Sequence, residues 1–276
     1  MNTVRHIYLS PHIDDAALSC GGAIHQQVQA GEGVLVITVC AAPPEPGQPL
    51  SAFARGLHEH WGNAADMVPV RQAEDRAAIG LLGADLRHLA FNDAIYRGRP
   101  AQGEWFYTNG TKLFGEIHPA DLSLAGTIAE AILELVPQTD ETPVIYAPLA
   151  VGHHVDHQLV YEAAGQLTRM GRTVVFYEDY PYVDPAYPYS QAPVGDDKPY
   201  SLQATLAAKQ AAHLQPQLRP LSETDLTAKI NSVRAYTSQL DMLFGGEDAV
   251  ANYIRSYTLD VGQGKPAERV WLSGYP

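Results

Sequence analysis

The sequence predicts an α/β protein: a Rossmann-like, doubly wound and mostly parallel sheet with helices on both faces. Short apolar runs recur at Val4–Leu9, Val34–Val39, Pro143–Pro148 and Arg172–Tyr177. Each suits a buried strand and is too short for a typical helix. Stretches of helical periodicity lie between them. That alternation implies βαβ units with right-handed crossovers.

The elements follow in order. Val4–Leu9 ends at Pro11, and a helix is expected over Asp15–Ala30, with Ala16, Leu18, Ala23, Ile24 and Val28 at apolar positions. Gly31 and Gly33 stop it. Val34–Val39 is the clearest buried strand, and Ala41–Leu50 is a Pro- and Gly-rich loop. Ser51–Asn63 carries Phe53, Leu57 and Trp61 on one helical face. Val70–Leu82 repeats Ala73, Ala77 and Leu81, and Gly83 closes it. Leu86–Phe91 reads as a short strand. Asn92–Asp121 reads as a loop of the length that is functional or mobile in compact domains. Leu122–Val136 is helical, Pro143–Pro148 a strand, Asp156–Met170 a helix and Arg172–Tyr177 a strand. Tyr180–Tyr200 is a second irregular segment, and the tyrosines of Tyr177–Tyr189 suit a packed wall or a sugar-stacking platform. Thr224–Leu243 is helical, Gly245–Gly264 has no clear assignment, and Val270–Leu272 is a terminal strand. The chain reads as one domain over 1–276: a core of about 1–180 and a C-terminal appendage of about 181–276 that helps wall the site.

Composition narrows the function. The net charge is -13, with no cluster of Lys and Arg. Nucleic acids and anionic membranes both call for basic patches, so neither is expected as a partner. No apolar run approaches the roughly 20 residues of a membrane span. Met1–Ser10 lacks the basic start and apolar core of an export signal, so a cytoplasmic location is expected. Cys20 and Cys40 are too few for a disulfide framework and fall in apolar stretches, where buried free thiols are expected. Oligomeric state is not legible.

Two segments carry the chemistry. Ser10-Pro11-His12-Ile13-Asp14-Asp15 follows the first strand, and Gly152-His153-His154-Val155-Asp156-His157 follows the strand at Pro143–Pro148. In an open parallel sheet the loops after the strands gather at one edge, where ligands bind. Asp14 or Asp15 alone would pass as a helix cap. Two adjacent carboxylates repel each other unless a cation stands beside them. His154 and His157, three apart, share a helical face. Imidazole plus carboxylate is the ligand set of a catalytic zinc site with an open position.

Pro11-His12-Ile13-Asp14-Asp15 and His154-Val155-Asp156-His157 resemble the Pro-His-x-Asp-Asp and His-x-Asp-His signatures of the zinc-dependent de-N-acetylases of the LmbE-like/PIG-L type. Similarity continues at Gly21-Gly22, at Arg71-Gln72-Ala73-Glu74-Asp75 with Leu82-Gly83, at Tyr177–Tyr182, and at Lys229 with Tyr236-Thr237-Ser238-Gln239. The resemblance implies one Zn2+ per chain held by His12, Asp15 and His157. It implies Asp14 as general base, and His154 as the group that stabilises the oxyanion and protonates the leaving amine. Arg71 would grip sugar hydroxyls and Asp156 would orient a metal-bound histidine. The implied reaction removes an acetyl or related acyl group from a small-molecule N-acylated amino sugar or its conjugate.

Three departures are visible. Gly152 stands where some relatives place a tyrosine that assists the oxyanion, so that support is expected either to be poorer or to come from another tyrosine such as Tyr96 or Tyr107. Ile13 replaces the usual proline, which should loosen the turn slightly. His153 is extra, an accessory polar residue.

Other histidines are not promoted. His58 and His60 lie two apart and read as surface residues, and His6, His25, His88, His118 and His213 have no metal-like neighbours in sequence. Gly-x-Gly-x-x-Gly and Gly-x-Ser-x-Gly are both missing, which disfavours a dinucleotide site and a serine hydrolase. Two rivals keep the fold: an amidase acting on a non-sugar or thiol-conjugate amide, and a non-catalytic zinc-dependent sugar-binding module. A two-metal phosphoesterase would need more ligands than the segments supply.

Overall fold

The computed structural model describes residues 3–62, 67–137, 142–187, 201–209 and 211–273. Its centre is a seven-stranded sheet of order β3-β2-β1-β6-β7-β9-β8. Strands β1 (Val4–Ser10), β2 (Gly33–Thr38), β3 (Asp85–His88), β6 (Val144–Pro148) and β7 (Val174–Tyr177) run parallel. Strand β9 (Ala267–Ser273) is antiparallel to both β7 and β8 (Leu214–Pro220). The chain winds outward from β1 through β2 to β3, then returns to β6 on the other side of β1. The sheet therefore reverses its winding between β1 and β6, the crevice where doubly wound folds bind ligands.

Helices α1 (Asp15–Gln29), α2 (Ala52–His60), α3 (Met67–Leu82), α5 (Leu124–Leu135) and α6 (Val155–Arg169) match the stretches of helical periodicity, α3 beginning three residues early and α6 one. Two buried clusters cover the two faces of the sheet. One joins Tyr8, Val36 and Tyr146 to α1, α3 and the C-terminal helices; the other joins Ile7, Ile37 and Ile145 to α5 and α6. Alternate residues of each strand thus serve opposite cores, which explains their near-continuous apolar character. Cys20 and Cys40 are buried free thiols. Among the described residues no helix is long and apolar enough to cross a membrane.

Several elements differ from expectation. The segment 92–121 contains a small hairpin, β4 (Gly98–Arg99) with β5 (Glu104–Trp105), and a short helix α4 (Gly110–Leu113). The helix expected over Thr224–Leu243 is two, α8 (Glu223–Arg234) and α9 (Leu240–Phe244). Between them Glu74 accepts from Thr237 Oγ1, Ser238 N and Ser238 Oγ, bonds that hold the intervening turn. Gly245–Gly264 contains α10 (Glu247–Val261), and α7 (Leu202–Ala208) precedes β8. Of the Tyr180–Tyr200 segment, residues 188–200 lie outside the described residues.

The C-terminal segment reaches back to the first helix. Glu268 of β9 accepts from the backbone N–H groups of Gly22 and Ala23 at 3.0 and 2.9 Å. Lys229 of α8, fully buried, pairs with Glu268 at 2.7 Å and donates to Ser19 O at 3.2 Å. Gly21 and Gly22 permit this approach: a Cβ on Gly22 would stand 2.5 Å from Leu221 Cδ1, and one on Gly21 would stand 3.1 Å from Lys229 Cγ.

Candidate active site

The turn after β1 is held from inside. Ser10 Oγ donates to His12 O at 2.7 Å and accepts from Ala16 N at 2.9 Å. Asp14 N bonds His12 O at 3.1 Å, and His12 N donates to Asp15 Oδ2 at 2.7 Å. Ile13 is buried, and its carbonyl accepts from Arg71 at 3.0 Å. These bonds pin the turn that the exchange of proline for Ile13 was expected to loosen. Asp14 takes φ 144°, a conformation that L residues rarely adopt. Such strain persists where the surroundings over-determine it, commonly at functional sites.

The loop after β6 arrives beside it. Ala150, Gly152 and His153 all have positive φ. His154 caps α6: its Nδ1 accepts from Asp156 N at 3.2 Å. A neutral imidazole that accepts at Nδ1 carries its proton on Nε2. Burial and the neighbouring His12 hold the His154 pKa well below its ordinary value. His154 therefore presents a neutral Nε2–H donor.

Four of the residues the resemblance implies, His12, Asp15, His154 and His157, converge. His12 Nδ1 and His157 Nε2 each stand 3.3 Å from Asp15 Oδ2. His12, His154 and His157 each offer a ring nitrogen within 4.8 Å of one another. The far side of each expected imidazole ligand is fixed by a carboxylate. His12 Nε2 bonds Asp156 Oδ2 at 2.9 Å, and His157 Nδ1 bonds Asp179 Oδ1 at 2.7 Å. His157 Nε2 is buried and makes no hydrogen bond among the described residues. A carboxylate behind each imidazole, an unused ring nitrogen in front and a shared Asp15 fit a metal ion. The electrostatics agree. Burial opposes charge on His157, yet Asp15 and Asp179 outweigh it and push its pKa up to about 9. Burial likewise opposes charge on His12, and Asp93, Asp15 and Asp156 overcome it. This is a pocket that draws positive charge.

Asp14 stands apart from that set. Its carboxylate faces Arg71 Nη2 at 3.4 Å. Burial pushes its pKa up to about 7 despite the pull of Arg71. Asp156 is fully buried: it accepts from Ala94 N at 2.9 Å and pairs with Arg97. Arg97 also donates to Asp121 at 2.7 Å. Arg97, Asp93 and Asp179 carry no spacing signal, and the sequence reading missed them; Asp179 lies in the Tyr177–Tyr182 stretch noted above without an assigned role.

Tyrosines are redistributed. Tyr96 hydroxyl bonds His58 Nε2 at 2.6 Å, and Tyr107 hydroxyl donates to Asp121 at 2.9 Å. Neither lines the cleft, whereas Tyr182 and Tyr187 do. A Cβ on Gly152, at φ 88°, would stand 2.6 Å from Tyr182 Cβ. Glycine at 152 thus admits the Tyr182 ring. His58 is a correction: it is buried beside Tyr96 and Trp61, because the α2 face that carries it turns inward. His153 Nδ1 lies 3.3 Å from Phe114 O and 3.2 Å from Gln158 Nε2, so it ties the loop to the cleft wall.

Fold and cleft define an α/β protein with a buried imidazole–carboxylate centre at its winding reversal. The family model described as "PIG-L: GlcNAc-PI de-N-acetylase" matches residues 7–168, and the chain belongs to this family. The chain is 29% identical over 187 residues to 2'-N-acetylparomamine deacetylase of Niallia circulans, covering 64% of this chain and 66% of that protein. It is 33% identical over 182 residues to the Streptomyces fradiae protein of the same name, covering 64% and 57%. These alignments leave a third or more of each relative unmatched. A deacetylase structure from the biosynthesis pathway of teicoplanin superimposes with TM-score 0.76 at 28% identity, covering 97% of both chains. The zinc-inhibited form of teicoplanin deacetylase Orf2 gives 0.75 at 27%, with the same coverage.

Proposed function

We propose that this chain is a zinc-dependent N-deacetylase that hydrolyses the amide of an N-acetylated amino sugar or its conjugate. The observation that carries the reading is the joint placement of His12, Asp15 and His157 around one point, with Asp14 close by and committed to Arg71. In this reading His12, Asp15 and His157 hold one Zn2+ per chain. Bound zinc would supply Lewis acidity and bring the pKa of a water toward about 7. That the relatives are named deacetylases supports the acyl group as acetyl.

The side chains divide the remaining work. Asp14, raised toward neutrality by burial, takes a proton from the attacking water. It then delivers that proton to the leaving amine. His154, neutral and protonated on Nε2, donates a hydrogen bond to the developing oxyanion. Its pKa, held low by burial and His12, makes it the weaker candidate for the amine's proton, which leaves that step to Asp14 in this reading. Arg71 steadies Asp14 and the Ile13 carbonyl and is placed to meet sugar hydroxyls.

The test is acetate release from N-acetylglucosamine derivatives by zinc-loaded protein, compared with Asp14→Asn. Loss of a positioned general base costs about 100- to 10,000-fold, while zinc content stays at one per chain. A variant that keeps most of its rate removes Asp14 from the mechanism.

A further inference from the structure

The turn between α8 and α9 is pinned to α3 by two adjacent carboxylates. Asp75 accepts from the Tyr236 hydroxyl at 2.7 Å. Glu74 accepts from Thr237 Oγ1 at 2.7 Å, Ser238 N at 2.8 Å and Ser238 Oγ at 2.7 Å. Arg71, which faces Asp14, lies one turn earlier on the same helix. The next residue of the pinned turn, Gln239, is 1% exposed and lines the cleft. The helix that carries Arg71 thus also sets the place of Gln239.

The same bonds fix which way the Gln239 amide faces. A carboxylate only accepts, so the single hydroxyl proton of Ser238 goes to Glu74. Ser238 Oγ then has only lone pairs left to offer. Its partner at 2.8 Å must be the amide nitrogen, Gln239 Nε2. The reverse orientation would set two acceptors, Oε1 and Oγ, against each other. Among the described residues Nε2 therefore has its partner and Oε1 has none. A carbonyl on so buried a side chain is costly to leave unpaired, and it suits a ligand that brings a donor. The cleft also holds the carboxylates of Asp14, Asp15 and Asp93, which a cationic donor would favour. A neutral carbonyl suits a hydroxyl.

We infer that Gln239 is a specificity-determining residue whose amide carbonyl accepts from one hydroxyl of the amino sugar. Glu74 and Ser238 are positioning residues that hold the amide in that sense. The inference rests on the deacetylase reading above.

The experiment uses the full, zinc-loaded chain and reads acetate release from methyl N-acetyl-β-glucosaminide and its 3-, 4- and 6-deoxy analogues. Wild type should lose about 10-fold in kcat/KM on one deoxy compound, mostly through KM, because the missing hydroxyl leaves the carbonyl unpaired. Gln239→Met has a similar outline and no amide. It keeps the backbone bonds of residue 239 to Tyr236 O and Leu243 N. It should lose about 10-fold on the parent compound and nothing further on that deoxy analogue. Ser238→Ala frees the amide to turn over and should cut the discrimination to about threefold or less. A loosened turn lowers all four rates together and leaves their ratios alone. Wild type that treats the four compounds alike within about twofold, or Gln239→Met that keeps the wild-type ratios, overturns the inference. Where Gln239→Met yields no folded protein, unchanged ratios in Ser238→Ala overturn it. No acetate from any of the four compounds with wild type overturns the deacetylase reading itself.

Discussion

Replacing Asp156 by Asn separates electrostatics from shape at the buried carboxylate behind His12. The amide has nearly the same outline, but it cannot accept from His12 Nε2, Ala94 N and Arg97 together. Its NH2 group must face one of these donors. Removing one partner of a buried charge pair costs about 3–5 kcal/mol. Arg97 keeps its 2.7 Å bond to Asp121, so we expect about 2–4 kcal/mol for this change. The assay is urea unfolding of metal-stripped protein, alongside zinc affinity by chelator competition. Zinc should bind about 10- to 100-fold more weakly, because His12 loses its orienting acceptor. The pH dependence has a definite sign. Burial opposes the Asp156 charge, but Arg97 and His12 overcome it and hold its pKa below the unfolded value. Its stabilisation is therefore complete above about pH 4 and drains away as pH falls through the depressed native value. The carboxylate's own share of the gap between wild type and variant should narrow below about pH 4. Equal stability at neutral pH together with unchanged zinc affinity would refute the argument.

Three further outcomes follow from the same geometry. His157→Ala should abolish stoichiometric zinc binding, measured by metal content after dialysis; a full complement of zinc removes His157 from the ligand set. Gly152→Ala should cost about 1–3 kcal/mol and lower kcat/KM, since the new methyl meets Tyr182, which lines the cleft; an unchanged melting temperature contradicts this. The kcat/KM profile should fall as pH drops, with its acidic limb at or below about 7, because Asp14 must be ionised and a bound cation can only lower its pKa further. Rates that climb toward acid pH would exclude Asp14 as base.

Much of this was legible because period and burial coincide. Strands β1, β2, β6 and β7 serve two cores at once, so their apolar runs stand out against the amphipathic helices. Strand β8 was hidden by Pro216 and Pro220; it is the outermost strand, where a residue without an N–H is tolerated. The break between α8 and α9 was hidden because Ile230, Val233, Tyr236 and Leu240 are all buried across it. Within the site, both short signatures led to residues that do converge. Arg97 and Asp179 reach Asp156 and His157 from 59 and 22 positions away. No local spacing announces contacts of that range. His58 was misread because two-residue separation says which faces differ, not which one turns inward.

The bond network between Glu268 and α1 makes the seating of that helix depend on β9. The backbone amides of Gly22 and Ala23 meet their carboxylate 246 and 245 positions further along the chain, on β9. Lys229, fully buried, pairs with the same carboxylate. Both histidine segments can thus be in place while α1 still lacks the strand that seats it.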